Sequence, residues 1–130
     1  MNDENIIPFE MEDKWQGFAK TSGLLSFDGE CIIIEFQTVD ALFGVIRSPV
    51  KRIKIKVDRL NFVKHASGIT KNNLIVSAKS LKTIEPFPSK NNYEVLLKFK
   101  KAYKEDVNML VSRVNLKIAE IKLEKNENNY

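Results

Sequence analysis

Apolar and polar residues alternate along much of the chain between residues 23 and 100. A period of two is typical of half-buried β-strands, because successive side chains point to opposite faces of a sheet. Turn residues separate the alternating runs. Together these features predict seven short strands: Gly23–Phe27, Glu30–Thr38, Ala41–Arg47, Val50–Val57, Arg59–Ala66, Leu74–Ala78 and Tyr93–Lys100.

Two short segments between these runs indicate how the strands are connected. Asp28-Gly29 separates the first two runs and predicts a hairpin with a type I′ turn, which needs a positive φ at both residues. Pro86 and Pro88 predict a loop, because proline cannot donate to a sheet ladder. Phe87 between them is interpreted as closing the rim of a barrel, with contact to a partner or a membrane as the alternative.

The pattern changes to a helical period from Ala102 to Glu124. Six apolar residues of this stretch fall on one arc of about 100°, as in a helix packed on one side. They are Val107, Leu110, Val111, Val114, Ile118 and Ile121. The order of elements therefore predicts a mainly β fold: a seven-stranded antiparallel barrel or sandwich, capped by one C-terminal α-helix.

The length of 130 residues predicts a single domain. We expect residues 1–14 to form an acidic arm, in which Pro8 breaks any regular element and Ile6, Ile7 and Phe9 can anchor the arm to the body. The domain then spans residues 15–124, and residues 125–130 form a frayed tail.

Several short motifs along residues 15–124 resemble the pleckstrin-homology-like superfamily, and within it an uncharacterised bacterial group near the GRAM domains. The motifs are Trp15 with Gly17, Gly23-Leu24-Leu25, Glu35-Phe36-Gln37-Thr38-Val39-Asp40, Gly44, Arg47-Ser48 and the strand Lys51–Val57. The resemblance implies a barrel with its helix plugging one end, and a binding module without a fixed ligand class. Members that bind phosphoinositides carry a basic cluster in a long first hairpin loop, whereas the Asp28-Gly29 turn is short and precedes Glu30.

Charge is unevenly distributed along the chain. Residues 1–40 carry nine acids and two bases, a net charge of −7, whereas residues 41–104 carry fifteen bases and three acids, a net charge of +12. Arg52, Lys54 and Lys56 fall on one face of one predicted strand, and Lys98 and Lys100 repeat the pattern on the last strand. This row predicts either a site for anionic headgroups or a face offset by solvent and by the acids of the first strands.

The predicted helix carries a second apolar strip almost opposite its core face. Met109, Leu116 and Leu123 recur every seven residues, with Ala102 one step before them. A helix that plugs a barrel needs only one apolar face, so these residues are candidates for an interface. The N-terminal arm, a second copy of the chain or another protein can cover the strip, or it can remain exposed.

The sequence lacks the residue patterns that catalysis or cofactor binding requires. The chain has one histidine, His65, and one cysteine, Cys31, which is expected to be buried and inert. No phosphate-binding glycine loop is present. We therefore expect a non-catalytic, cytoplasmic protein without cofactor that mediates protein contact or self-association, with binding to anionic lipid as the alternative. Nucleic acid is disfavoured, because arginine is scarce and no aromatic residues interleave with the basic row.

Overall fold

The computed structural model of the chain describes residues 6–11, 19–40, 43, 45–46, 49–67, 72–88 and 90–128. These residues form two α-helices, α1 (Leu81–Ile84) and α2 (Lys104–Asn128), and seven strands. The strands are β1 (Ile7–Met11), β2 (Ala19–Phe27), β3 (Cys31–Asp40), β4 (Lys51–Lys56), β5 (Leu60–Ser67), β6 (Asn72–Ala78) and β7 (Glu94–Phe99). Two 3-10 turns, Val57–Arg59 and Lys101–Tyr103, precede β5 and α2.

All seven strands belong to one antiparallel sheet with the order β4-β3-β2-β1-β7-β6-β5. Two meanders, β1 to β4 and β5 to β7, meet where Glu10 of β1 pairs with Lys98 of β7. Within the described residues β4 and β5 are the outer strands, so pairing does not close the sheet. The mainly β fold with seven antiparallel strands and one C-terminal helix is therefore confirmed.

The core forms where the inward residues of both meanders meet one face of α2. Alternation is regular in β1, where Ile7, Phe9 and Met11 are buried and Pro8 and Glu10 are exposed. The predicted core face of the helix is confirmed: Val107, Leu110, Val114 and Ile118 are buried, and Val111 and Ile121 pack against them half-buried. The helix lies mainly along β5 and also reaches β2, where the Arg113 guanidinium lies 5.2 Å above the ring of Phe27.

The expectation that Pro8 prevents regular structure was wrong, because Ile7–Met11 forms the strand that joins the two meanders. The sheet therefore begins well before residue 15. β1 pairs with β2 along its length, but its pairing with β7 is confined to Glu10. Pro8 thus occupies a position with a paired strand on one side only, which is the kind of position where proline is tolerated.

The predicted strand Ala41–Arg47 was also wrong for the residues that can be compared. Ile46 forms an isolated bridge with Val39, and Phe43 lies in a turn. Ala41, Leu42, Gly44 and Arg47 lie outside the described residues. At the other end of the chain the helix continues to Asn128, so residues 125–128 are helical rather than part of a frayed tail.

The hairpin at Asp28-Gly29 is present, but its turn differs from the prediction. Gly29 has a φ of 103°, whereas Asp28 does not have a positive φ. A carboxylate oxygen of Asp28 instead accepts hydrogen bonds from the backbone N–H groups of Glu30 and Cys31, at 2.9 and 2.7 Å. This hairpin is also the second one in the sheet, since β1 and β2 form the first.

Candidate anion-binding cleft

The basic row lies on β4, at an outer edge of the described sheet. Arg52, Lys54 and Lys56 are exposed on one face of the strand, as predicted, while Ile55 points into the core. Antiparallel pairing with β3 sets Arg52 opposite Glu35, Lys54 opposite Ile33 and Lys56 opposite Cys31. The neighbouring strand therefore offers a carboxylate to Arg52 alone.

The three cations of the row do not act as one group. The Nε atom of Arg52 lies 3.4 Å from Oε1 of Glu35, which ties that guanidinium to β3. Lys54 and Lys56 instead line a cleft of about 610 Å³ at the other end of the strand. The structure thus keeps two of the three predicted residues together and separates the third from them.

The cleft brings two further cations to Lys54 and Lys56. Arg59 comes from the 3-10 turn after β4, and Lys82 comes from α1. Ser80 and Thr83 add hydroxyl groups to the same wall, and their oxygens lie 3.3 Å apart. Four cations from three elements, together with two hydroxyls, offer hydrogen-bond donors to an anion from several directions.

Backbone hydrogen bonds hold the walls of the cleft together. The N–H of Val57 donates to the carbonyl of Glu30 at 3.1 Å, which joins the turn to the β2–β3 hairpin. The N–H of Lys79 donates to the carbonyl of Arg59 at 2.9 Å, which joins the same turn to the segment that leads into α1. These two bonds hold the turn that carries Arg59 between the hairpin on one side and the segment before α1 on the other.

The cleft is electrostatically one-sided. Among the residues that the structure describes, Lys54, Lys56, Arg59 and Lys82 make no salt bridge, and no carboxylate lines the cleft. The nearby carboxyl group of Asp28 has a pKa held below its usual value. The main cause is the hydrogen bond from the Cys31 N–H, followed by that from Glu30, and the charge of Lys54 adds to it.

Two of the four cations of this site were not predicted from the sequence. Arg59 and Lys82 are isolated basic residues 23 positions apart, and neither belongs to a run or an alternating face. Only the path of the chain through β5, β6 and α1 brings them together. For Arg59 and Lys82 the signal in the sequence was the excess of fifteen bases over three acids in residues 41–104.

The second candidate surface lies on α2. Met109, Leu116 and Leu123 are each more than half exposed, on the side of the helix opposite its buried face. Ile7 and Phe9 of the N-terminal arm are buried within the sheet, so these two residues do not cover the strip. Cover by a second copy of the chain or by another protein, and simple exposure, stay predictions.

The other singled-out residues lie away from the cleft, with one exception. Phe87 is buried and stacks on Phe36, with ring centroids 5.1 Å apart, so it closes the rim of the core. Lys98 is half-buried, and with Lys100 it lines a separate groove between β1, β2 and β7. His65 packs its ring against Phe99 at 5.4 Å. The exception is Cys31, which is half-buried at the cleft rather than buried in the core.

The described residues contain neither a metal-binding cluster nor a membrane-spanning helix. No group of three or more histidine, cysteine, aspartate or glutamate side chains is arranged to hold a metal ion. No described helix combines the length and the apolar character that crossing a bilayer requires.

Comparison with known proteins adds no family assignment. No protein-family model matches the chain, and the search of curated proteins found no match. The similarity to the pleckstrin-homology-like superfamily therefore remains a prediction from the motifs quoted above.

Proposed function

We propose that this chain is a non-catalytic binding module that takes a phosphate-bearing anion in the cleft between β4, the turn Val57–Arg59 and α1. The observation that carries the proposal is the convergence of Lys54, Lys56, Arg59 and Lys82 on one cleft, with no carboxylate among the described residues that line it. Like charges repel one another when they are brought together, and a bound anion removes that cost. The order of seven strands followed by a helix supports the further proposal of a pleckstrin-homology-like module.

The chemistry of the cleft favours phosphate over other anionic partners. Lysine binds phosphate as a point charge, and the Ser80 and Thr83 hydroxyls can donate to phosphate oxygens. A nucleic acid is a poorer fit, because none of the described lining residues is an aromatic that could stack on a base. In the part of the chain that the structure describes, the cleft is lined by neither histidine nor a carboxylate, which supports a binding role rather than general acid–base chemistry. A cytoplasmic location is part of the proposal, since a single cysteine suits a reducing compartment.

Titration with inorganic pyrophosphate at constant ionic strength tests the proposal. We expect the largest shifts of backbone amide resonances at Lys54–Arg59 and Ser80–Thr83. The double variant Lys54→Ala/Lys56→Ala should weaken binding about tenfold or more, since each removed cation contributes roughly 1 kcal/mol. The matched control, Lys64→Ala/Lys104→Ala, removes two exposed lysines elsewhere and should bind like the parent.

Two outcomes of this titration would count against the cleft. Shifts spread over lysines of the whole surface would indicate unspecific screening of charge. An equal loss of affinity in the cleft variant and the control variant would show that net charge, rather than the arrangement of cations, governs binding.

A second candidate function is self-association through α2, and the exposed strip favours it. Leu116 lies midway between Met109 and Leu123, seven residues from each. An antiparallel pair of α2 helices about a two-fold axis would therefore set Leu116 against itself and Met109 against Leu123, as a self-complementary interface requires. Measurement of mass by light scattering tests this: Leu116→Asp/Leu123→Asp should yield monomers from a dimeric parent, whereas the control Leu81→Asp should not. A monomeric parent rejects the candidate.

A further inference from the structure

The connection between β3 and β4 presents large apolar side chains to solvent. Phe43 is 80% exposed, the highest value among the large hydrophobic residues described, and Val45, Ile46 and Val50 are each about 60% exposed. We refer to these four residues as the apolar tip. Scattered exposed hydrophobic residues are normal on protein surfaces, but a cluster within eight positions is typical of a contact surface.

Hydrogen bonds of Asp40 hold the backbone of the apolar tip. A carboxylate oxygen of Asp40 accepts the N–H of Phe43 at 3.0 Å, and the N–H of Asp40 donates to the carbonyl of Val45 at 2.7 Å. Ile46 pairs with Val39 through an isolated bridge. These contacts tie Phe43, Val45 and Ile46 to the end of β3, while the Phe43 side chain stays outside the core.

Charge indicates what the apolar tip meets. The sixteen residues from Ala41 to Lys56 contain no acid and five bases. Val50 leads directly into β4, whose exposed cations begin at Lys51 and continue to Lys56 at the cleft. With a rise of roughly 3.3 Å per residue, β4 carries these charges over about 17 Å of the same edge.

Apolar side chains beside a band of lysines match the layered chemistry of an anionic bilayer surface. The apolar groups enter the boundary between headgroups and acyl chains, while the cations remain at the level of the lipid phosphates. A protein partner would need an apolar pocket and an acidic band at matching positions. A bilayer offers both layers everywhere on its surface, so the pairing of these two features favours lipid.

We propose that the apolar tip inserts into the surface of an anionic lipid bilayer while the cations of β4 contact the headgroups. The inference deepens the proposed function and rests on it in one respect: the phosphate-bearing ligand of the cleft is then a lipid headgroup. Insertion supplies apolar binding energy that a soluble phosphate compound cannot provide. Binding to membranes should therefore persist in part at salt concentrations that abolish purely electrostatic contact.

Co-sedimentation with vesicles tests the inference on the full chain. Vesicles of phosphatidylcholine with about one-third phosphatidylserine serve as the probe, at about 0.1 M and about 0.5 M salt. The variant Phe43→Ser/Val45→Ser should weaken vesicle binding about tenfold or more, because two exposed apolar side chains no longer enter the bilayer. The control, Ile6→Ser/Tyr93→Ser, removes two apolar side chains that are about half exposed, away from the tip, the cleft and α2, and should bind like the parent.

A spectroscopic reading separates insertion from loss of fold. In the variant Phe43→Trp, brominated lipids should quench fluorescence beyond the quenching seen for Trp15 in the parent. Absence of such quenching, or unchanged vesicle binding by Phe43→Ser/Val45→Ser, would overturn the insertion. Equal losses in the tip variant and in Ile6→Ser/Tyr93→Ser would overturn it as well, since they would show that any exposed apolar pair serves.

The pyrophosphate titration distinguishes failure of this inference from failure of the proposed function. A parent protein that binds pyrophosphate in the cleft but does not bind vesicles refutes the bilayer and leaves the cleft in place. A parent protein that binds neither refutes both. Binding of vesicles by insertion without pyrophosphate binding supports the tip and rejects the cleft.

Discussion

The side chain of Asn115 on α2 pairs with both backbone groups of Val63 on β5. The Val63 N–H donates to Oδ1 of Asn115 at 3.2 Å, and Nδ2 of Asn115 donates to the Val63 carbonyl at 2.8 Å. β5 is an outer strand of the described sheet, so these groups face away from its partner β6. One amide thus replaces a missing strand at this point and fixes the position of the helix along the edge.

Replacement of Asn115 should lower the free energy of unfolding, because it removes two hydrogen bonds and also leaves two backbone groups of Val63 unsatisfied. Asn115→Ala leaves the N–H and the carbonyl of Val63 without partners beneath the helix, at a cost of about 1–3 kcal/mol for an unsatisfied group. Urea unfolding measures the loss. The matched control is Asn108→Ala, which removes an exposed asparagine of the same helix and should cost less than about 0.5 kcal/mol. Because alanine has the higher helix propensity, propensity alone would stabilise both variants. Equal losses in the two variants would therefore show that the contact with Val63 is not the source of the loss.

Gly23 and Gly29 should resist substitution for different reasons. A Cβ at Gly23 would overlap the carbonyl oxygen of Glu35 on the neighbouring strand, whereas a Cβ at Gly29 meets open space but requires a φ of +103°. We expect Gly23→Ala to cost about 1–3 kcal/mol through overpacking, or more because the obstacle is backbone. Gly29→Ala should cost about 1 kcal/mol through backbone strain. Thermal unfolding compares the two, and a larger loss at Gly29 would contradict the close approach of β2 and β3.

Much of the fold was predictable because binary patterning determines which residues are buried. β4 and the core face of α2 follow their periods closely, and both were predicted nearly to the residue. The errors fell where local bonding outweighs the pattern. The Asp40 carboxylate accepts the N–H of Phe43, and Phe43 lies in a turn where the apolar pattern predicted a strand. Pro8 lies in a strand because its β7 side is unpaired there, a condition that only the assembled sheet reveals.

The candidate site was predictable only where it followed a strand. Lys54 and Lys56 share a face by alternation, which the sequence displays directly. Arg59 and Lys82 reach them through the packing of a turn and a short helix against the β2–β3 hairpin, and no periodicity encodes that arrangement. The pairing of Arg52 with Glu35 depends on the register between β3 and β4.

Phe87 and Phe43 provide a test of which apolar loop residues belong to the core. Phe87 is buried and stacked on Phe36, so Phe87→Ala should lower the free energy of unfolding by about 3–5 kcal/mol. Phe43 has few contacts to lose, and Phe43→Ala should change stability by less than about 0.5 kcal/mol. Urea unfolding of both variants checks the contrast. A large loss at Phe43 would mean that this ring packs on the protein, and it would also weaken the case for insertion.

The carboxylate of Asp28 should make the β2–β3 hairpin sensitive to acid. Its pKa lies below the usual value of 3.8, chiefly because the N–H groups of Cys31 and Glu30 donate to the ionised form, with Lys54 adding attraction. A depressed pKa in the folded state means that the ionised group stabilises folding fully above pH 3.8 and progressively less as the pH falls through the lower folded value. Asp28→Asn should therefore be less stable than the parent at neutral pH, by about 1 kcal/mol for an exposed charged acceptor.

The difference in unfolding free energy between the parent and Asp28→Asn should shrink as the pH falls below 3.8, since the Asp28 carboxylate of the parent then becomes protonated and loses its charge. Urea unfolding at a series of pH values measures it, with Glu124→Gln on the exposed side of α2 as the control for loss of one negative charge. If the difference in stability stays constant through the acid range, Asp28 does not stabilise the hairpin through its charge.

Pyrophosphate bound in the cleft should reduce the stability difference between the parent and Asp28→Asn at neutral pH. The reason is that Lys54 lowers the pKa of Asp28, and a bound anion would offset the charge of Lys54.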